Sequence, residues 1–404
     1  MKITSSVSPA LKICLKFFGV WPDVSYSTAC WLSFMLSMLI VQYFQYLYVF
    51  KHCNVSELLN FIDGLTASLY YSLTFLKLAS LWIHRRVFHQ ILTAMDNDWR
   101  ECINIDQHLH IMTIKANVSY IFCNAMLSFT AVATVIYFLG EYITRFIFLT
   151  KDYNDTLRRF PVRTEFPHET LQSPMFEFLF VILLFHAMLH GGAAGTVDGL
   201  IFTLVFHVSG QIDIICKEFR NISENIILHK SSVYELGMLI ERHNRILSFS
   251  ENIEKLFSFI ALMQIVWNTL VICSLGFVFI ISTHTDEVGV FALVKNLFSS
   301  LGTIIELFII CFVGEYLSYK GKSITNASYE SLWYNMPLNH SKVIIFIIMR
   351  SQKRLAITAG KMMDMSFEAF TSVIFQTICI QENKFISYLL FNFIFNTLFY
   401  KIYN

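Results

Sequence analysis

The chain has 404 residues, of which 55% are hydrophobic and only 15% charged, with a mean hydropathy of +0.55. Soluble domains carry about a quarter charged residues, so this composition excludes a soluble enzyme and points to a polytopic membrane protein. A net charge of +1 argues against a nucleic-acid partner, and nine cysteines scattered singly, with no CxxC pair, suggest neither a disulfide framework nor a zinc site.

Lys2, Pro9, Lys12 and Lys16 interrupt any signal-peptide core, so no cleavable leader is expected. Leu11 to Phe18 reads as a short interfacial helix ending at Gly19-Val20-Trp21-Pro22, with Trp21 as its anchor. The first span is predicted over 31–50 and the second over 58–83, closed by His84-Arg85-Arg86. Residues 87–115, with Asp96, Asp98, Arg100, Glu101 and Asp106, are too polar to cross. Span three follows at 118–142, then a polar loop to about Ser173.

The fourth element, 176–208, would be roughly 50 Å long as a helix, against a hydrocarbon core of about 30 Å, so it should project into water. Gly191-Gly192-Ala193-Ala194-Gly195 inside it reads as a kink or a close helix contact, the kink being preferred. Leu236, Leu239, Ile240, Ile246, Leu247, Ile253 and Leu256 recur near helical spacing, an amphipathic lead into span five at 257–282. Span six covers 291–313.

Residues 314–374 then read as a turn-off at Gly314-Glu315, a polar helix, a short apolar helix, and a re-entry into span seven near Phe367. Tyr329 and Trp333, four apart, are expected on one helical face, with Pro337 ending that helix. The apolar run 343–349 is too short to cross a bilayer, so it should be buried in protein as an anchor for other helices.

Lysine and arginine set the orientation: twenty fall on the side of the amino terminus and seven in the opposite loops. The amino terminus is thus predicted cytoplasmic and the carboxyl end extracellular, the reverse of a G-protein-coupled receptor. Sequons at Asn54 and Asn154 fall on predicted outer loops, as glycosylation requires. The fold class is therefore an all-α membrane protein of seven transmembrane helices, with a cytoplasmic anchor built from extensions of helices four to seven.

The stretch 314–374 resembles the insect odorant receptors. So do Gly19-Val20-Trp21-Pro22, the run Lys77 to Trp99, His207-Val208-Ser209-Gly210-Gln211, and His243 with Ile246-Leu247. The resemblance implies a subunit of a ligand-gated, non-selective cation channel, assembled with a shared co-receptor as a heterotetramer in a sensory neuron's plasma membrane. Its other partners would be small hydrophobic odorants and membrane lipid. The long cytoplasmic loop typical of the co-receptor is absent between spans four and five, which implies a ligand-tuning subunit. Tyr329, Trp333 and Arg350 would belong to the anchor, and the seventh helix would line the pore.

The domain so defined covers 1–374, with its anchor mainly at 210–256 and 314–365. Residues 375–404 depart from the family pattern: Gln381-Glu382-Asn383-Lys384 would interrupt span seven, and the Phe-, Tyr-, Ile-, Asn- and Lys-rich tail reads as a mis-spliced or read-through end. A gustatory-type receptor channel is the closest alternative, ahead of a G-protein-coupled receptor or a transporter, for which no inverted repeat is seen.

The family places its ligand pocket among spans two to six. Outer-half candidates by spacing are Gly64, Ser68 and Tyr71, then Thr130, Ala133 and Tyr137, then Phe180, Leu184 and Met188, with ordinary helix packing as the plain alternative. Glu306, Phe370, Thr371 and Ile374 are the pore or gating candidates. Glu306 and Lys77 are intramembrane charges that would tune cation passage or pair within the bundle, and Lys77 is close enough to the inner end to snorkel. His186 and His190 share a face but lack a partner cluster, so they read as structural or ligand-contacting rather than metal-binding. No catalytic fingerprint is present, and neither a cofactor nor a metal is expected.

Overall fold

A computed structural model describes residues 5–22, 25–53, 58–148, 160, 162–167, 170, 172–227, 233–284 and 290–382. Asn54, Asn154 and most of the atypical tail lie outside these. The described chain is a bundle of ten α-helices and one small hairpin: α1 (Pro9–Phe17), α2 (Ser27–Lys51), α3 (Leu58–Ile83), α4 (Arg85–Cys102), α5 (Asp106–Phe148), α6 (Met175–Ile227), α7 (Val233–His284), α8 (Val290–Glu330), α9 (Leu338–Ser351) and α10 (Phe367–Glu382), with β1 (Thr358–Ala359) paired antiparallel to β2 (Met363–Asp364).

Among the described residues, five helices are long and apolar enough to cross a membrane: α2 and the helices α5 to α8. They leave apolar side chains such as Leu36, Ile40, Ile121, Val132, Phe178 and Phe185 on the outside. An outward apolar face of this extent is stable only against lipid. The protein is a multi-pass membrane protein.

Four helices, α5 to α8, run far past any bilayer, α5 with 43 residues. α6 spans 53 residues, or roughly 80 Å, and α7 and α8 span 52 and 41. The projecting ends share one core with the membrane part, in which Leu239, Ile246, Ile253, Ile324, Ala327, Ile344 and Ile347 are buried together. The helical spacing seen at 236–256 is that buried stripe.

Several local expectations are corrected. α6 continues unbroken through Gly191–Gly195, because these glycines face α5: a Cβ on Gly191 would come within 2.9 Å of Thr134 Oγ1, and one on Gly195 within 3.2 Å of Thr130 Oγ1. The close helix contact, the other of the two readings, accounts for Gly191 and Gly195. α8 likewise continues through Gly314, where a Cβ would fall 2.3 Å from the Met365 carbonyl oxygen. Gly314 thus admits the chain entering α10 instead of turning the helix away.

α8 stops at Glu330, not at Pro337; Leu332 adopts φ +51° and Trp333 begins a short 3-10 turn. The break sends Tyr329 outward while Trp333 packs on the core, so the two do not share a face. Pro337 opens α9 instead, and α9 is 14 residues long, twice the predicted apolar run.

The hairpin turns through Gly360, Lys361 and Met362, the first two at positive φ, and Met362 N–H donates to Ala359 O at 3.0 Å. Gly360 N–H donates to Ser258 O at 2.9 Å, and Thr358 N–H donates to Glu254 at 2.8 Å, so α7 holds the hairpin. At the other end of the chain, Ser8 caps α1 by accepting from Leu11 N–H, and Gly19 at φ +68° brings the backbone against Ser27 and Trp31.

Candidate functional site

Between α2, α3, α5 and α6 lies an aromatic cluster separate from the main core. Val41, Tyr71, Phe138, Phe176, Leu183 and Ala187 are buried in it, and Phe160 and Val162 of the loop before α6 cover it. Tyr71 stacks on His190 with ring centres 3.9 Å apart and on His186 at 5.8 Å. Phe138 meets Phe180 edge-on at 6.2 Å, and Phe160 stacks on Phe176 at 4.9 Å. Such rings offer a flat, polarisable surface to a small apolar guest.

Of the nine pocket candidates, Tyr71, Tyr137, Phe180 and Leu184 meet in this cluster. Met188 is half-buried outside it. Gly64 is a contact point instead: a Cβ there would lie 2.8 Å from the Tyr48 ring. Ser68 is fully buried, and its hydroxyl donates to Gly64 O within its own helix at 2.8 Å. Thr130 backs the α6 glycines. Ala133 is corrected out of the pocket, since it sits on the exposed side of α5 between Val132 and Val135.

Buried polar groups without protein partners border the cluster. Both ring nitrogens of His186, Nε2 of His190, and both amide atoms of Gln45 are unpaired. Gln45 follows Val41 by one turn on the same face of α2, and it is fully buried. Unpaired buried amides are uncommon, and spacing arguments built on apolar residues passed this one by.

Toward the projecting end, roughly 9 Å along α3 from Tyr71, Lys77 is 1% exposed and meets two carboxylates. Its Nζ donates to Asp198 Oδ1 of α6 at 3.1 Å and to Glu306 Oε1 of α8. Gln264 of α7 donates to the Glu306 backbone oxygen at 2.9 Å. Lys77 therefore does not snorkel, and Glu306, only 6% exposed, is turned into the bundle toward Lys77. Asp198 is the member the sequence reading missed. A lone acid inside the apolar run of α6 was itself the signal that a cation had to face it.

From Glu306 the same helix leads to α10. Phe308 packs on Phe367 and Phe370 at 5.9 and 5.6 Å, and Phe312 packs on Phe367 at 6.3 Å. Phe370 and Ile374 thus pack inward on the core, whereas Thr371 stands on the exposed face of α10 with Glu368 and Phe375.

In the projecting part, His207 Nε2 lies 3.1 Å from Asp98, its Nδ1 lies 2.8 Å from Ser6 Oγ, and Trp99 Nε1 donates to the same hydroxyl at 2.9 Å. Asp98-Trp99 and His207, distant in sequence, form one polar joint. Trp333 packs on the core above Ser341, which donates to its carbonyl at 2.8 Å. Tyr329, Tyr334, Leu338, Phe346 and Met349 remain exposed, as does Arg350.

Comparison with known proteins agrees with this architecture. The family described as 7tm Odorant receptor matches residues 57–377. Odorant receptor 22c of Drosophila melanogaster is 24% identical over 205 residues, 48% of this chain and 49% of that protein. Odorant receptor 10 of Aedes albopictus is 24% identical over 78% of this chain and 80% of its own. The chain thus aligns with about half the length of the first of these relatives. The solved structure of the insect olfactory receptor OR5 from Machilis hrabei in complex with eugenol superposes with a TM-score of 0.75 at 13% identity, covering 91% of this chain and 94% of that one. At that identity the likeness speaks for the fold, while the family match spans well over half of the chain. The chain belongs to the seven-transmembrane odorant receptor family, a family of receptors and not of enzymes.

Proposed function

We propose that this chain is a ligand-tuning odorant receptor subunit. It binds a small hydrophobic volatile in the aromatic cluster and gates a non-selective cation channel formed with a shared co-receptor in a sensory neuron's plasma membrane. The observation that carries the reading is the Tyr71–His186–His190 stack. It is an aromatic surface bordered by unpaired polar atoms, covered by Phe160 and Val162.

A route from pocket to gate is also at hand. Tyr71 and Lys77 share α3, His190 and Asp198 share α6, and Lys77 holds both Asp198 and Glu306 of α8. A ligand that displaces α3 against α6 would move α8, and Phe308 and Phe312 would pass the movement to α10. Thr371 lies on the α10 face left free to line a pore. Exposed Phe346 and Met349 on α9 suit an interface with neighbouring subunits better than they suit water.

The test is co-expression with the co-receptor in a heterologous cell line and a panel of small volatiles. Ligand-evoked cation current that needs both subunits is expected. A current that survives omission of this chain, or a G-protein response without the co-receptor, would overturn the reading.

A further inference from the structure

α1 carries three stripes. Leu11 and Leu15 are buried in the bundle, Ile13 and Phe17 point the other way at 67% and 53% exposure, and Lys12 and Lys16 run between them. A helix this placed is stable only if its outward side meets an apolar medium at a charged boundary, which is the edge of a bilayer. Between α1, the amino-terminal half of α2 and α6 lies an open groove of about 510 Å³, lined by Lys16, Phe17, Tyr26, Phe34, Ser37 and Leu189.

The walls of this groove are effectively apolar. The hydroxyls of Ser33 and Ser37 donate to Cys30 O and Phe34 O of their own helix at 2.9 and 2.7 Å, which leaves the Tyr26 phenol, at the exposed end of the groove, as the lining hydroxyl free to donate. Lys16 at the rim makes no ion pair among the described residues. Lys12, one turn earlier, rests over the Trp21 ring at 5.2 Å. An occupant must therefore be apolar along its length and anionic at one end.

We propose that this groove holds an acyl chain of an anionic phospholipid, with Lys16, supported by Lys12, at the phosphate. In the orientation predicted from lysine and arginine placement the lipid comes from the inner leaflet, where anionic lipids concentrate. A neutral volatile would leave Lys16 unanswered, and a peptide would bring backbone groups that these walls cannot satisfy. The site is distinct from the aromatic cluster, although Phe34 lines the groove and stacks on His186 at 6.4 Å, so the two share a wall.

The test uses the purified receptor complex in phosphatidylcholine nanodiscs. These are doped with either phosphatidylserine or phosphatidylcholine carrying a photoactivatable acyl chain, and labelled peptides are mapped by mass spectrometry. The phosphatidylserine probe is expected to label the peptides holding Phe17 and Phe34 about five-fold more than its neutral counterpart, the effect of one lysine near an anionic headgroup. Lys16→Glu and the milder Lys16→Gln should bring that labelling down to the neutral level, and Lys16→Arg should preserve it. Ser37→Trp, which fills the groove from its half-buried α2 wall, should reduce labelling by both probes. Gel filtration and ligand-evoked current confirm that each variant is folded. Equal labelling by the two probes, labelling indifferent to Lys16, or no label in these peptides overturns the proposal. None of these outcomes depends on which volatile the aromatic cluster binds.

Discussion

Two clusters of ion pairs lie on different helices of one bundle and obey opposite rules. In the spanning part, Lys77, Asp198 and Glu306 tie α3, α6 and α8 together with side chains at most 8% exposed. In the projecting part, Arg245 of α7 grips Glu101 of α4 with two hydrogen bonds, one of 2.8 Å, and those side chains are 36% and 45% exposed. The first group has no water to fall back on, so losing one member strands a buried charge. The second exchanges a partner for water at small cost. The same chemistry is thus a structural commitment in one place and an adjustable contact in the other.

That contrast predicts an order of effects. The largest is Lys77→Met, which leaves two carboxylates facing each other in the bundle. It should destabilise the fold by about 3–5 kcal/mol and abolish surface expression in cells, as read by labelling of intact cells. Wild-type surface levels would break the comparison at its stronger end.

Gly314→Val comes next, because its side chain must displace the Met365 backbone at 2.3 Å. A loss of about 1–3 kcal/mol is expected, visible as a lower unfolding temperature of the detergent-solubilised complex. Tyr71→Leu removes a stack without charge. With the aromatic pair contributing about 0.5–1.5 kcal/mol, up to about a tenfold rise in half-maximal ligand concentration should appear in dose–response currents, with surface level kept.

Glu101→Gln closes the series at no more than about 1 kcal/mol, measured as a small shift in unfolding temperature that salt diminishes. Hydrogen bonding to Arg245 holds the Glu101 carboxyl below the ordinary glutamate range. Its contribution is therefore complete above about pH 4.3 and fades as acidification passes the lowered value of the folded state. The variant should be indifferent over that acid window, and a matching loss in both proteins would show that the bridge contributes nothing.

The sequence made some of this plain and hid the rest for identifiable reasons. The bounds 58–83 are those of α3, which the apolar run and the following His84-Arg85-Arg86 mark, although α3 is not among the five described helices apolar enough to cross a membrane. The stripe from Leu236 to Leu256 was legible because its period is helical and its burial one-sided. Helix ends outside the membrane were not, since polar residues continue α5, α6 and α8 as readily as they end them. The break at Leu332 follows from a positive φ that leucine rarely adopts, so the Tyr329–Trp333 spacing misled. Glycines at 191, 195 and 314 are ambiguous alone, because only the facing helix or strand reveals whether space or bending is required. Asp198 needed a partner from α3, and no local pattern names a partner 121 positions away.

The charge triad is tested most directly by comparing Lys77→Met with the triple variant Lys77→Met, Asp198→Asn, Glu306→Gln for surface level and ligand-evoked current. If the three side chains answer one another inside the bundle, removing all the charges should restore much of what the single change destroys. A triple variant no better than Lys77→Met alone would contradict it.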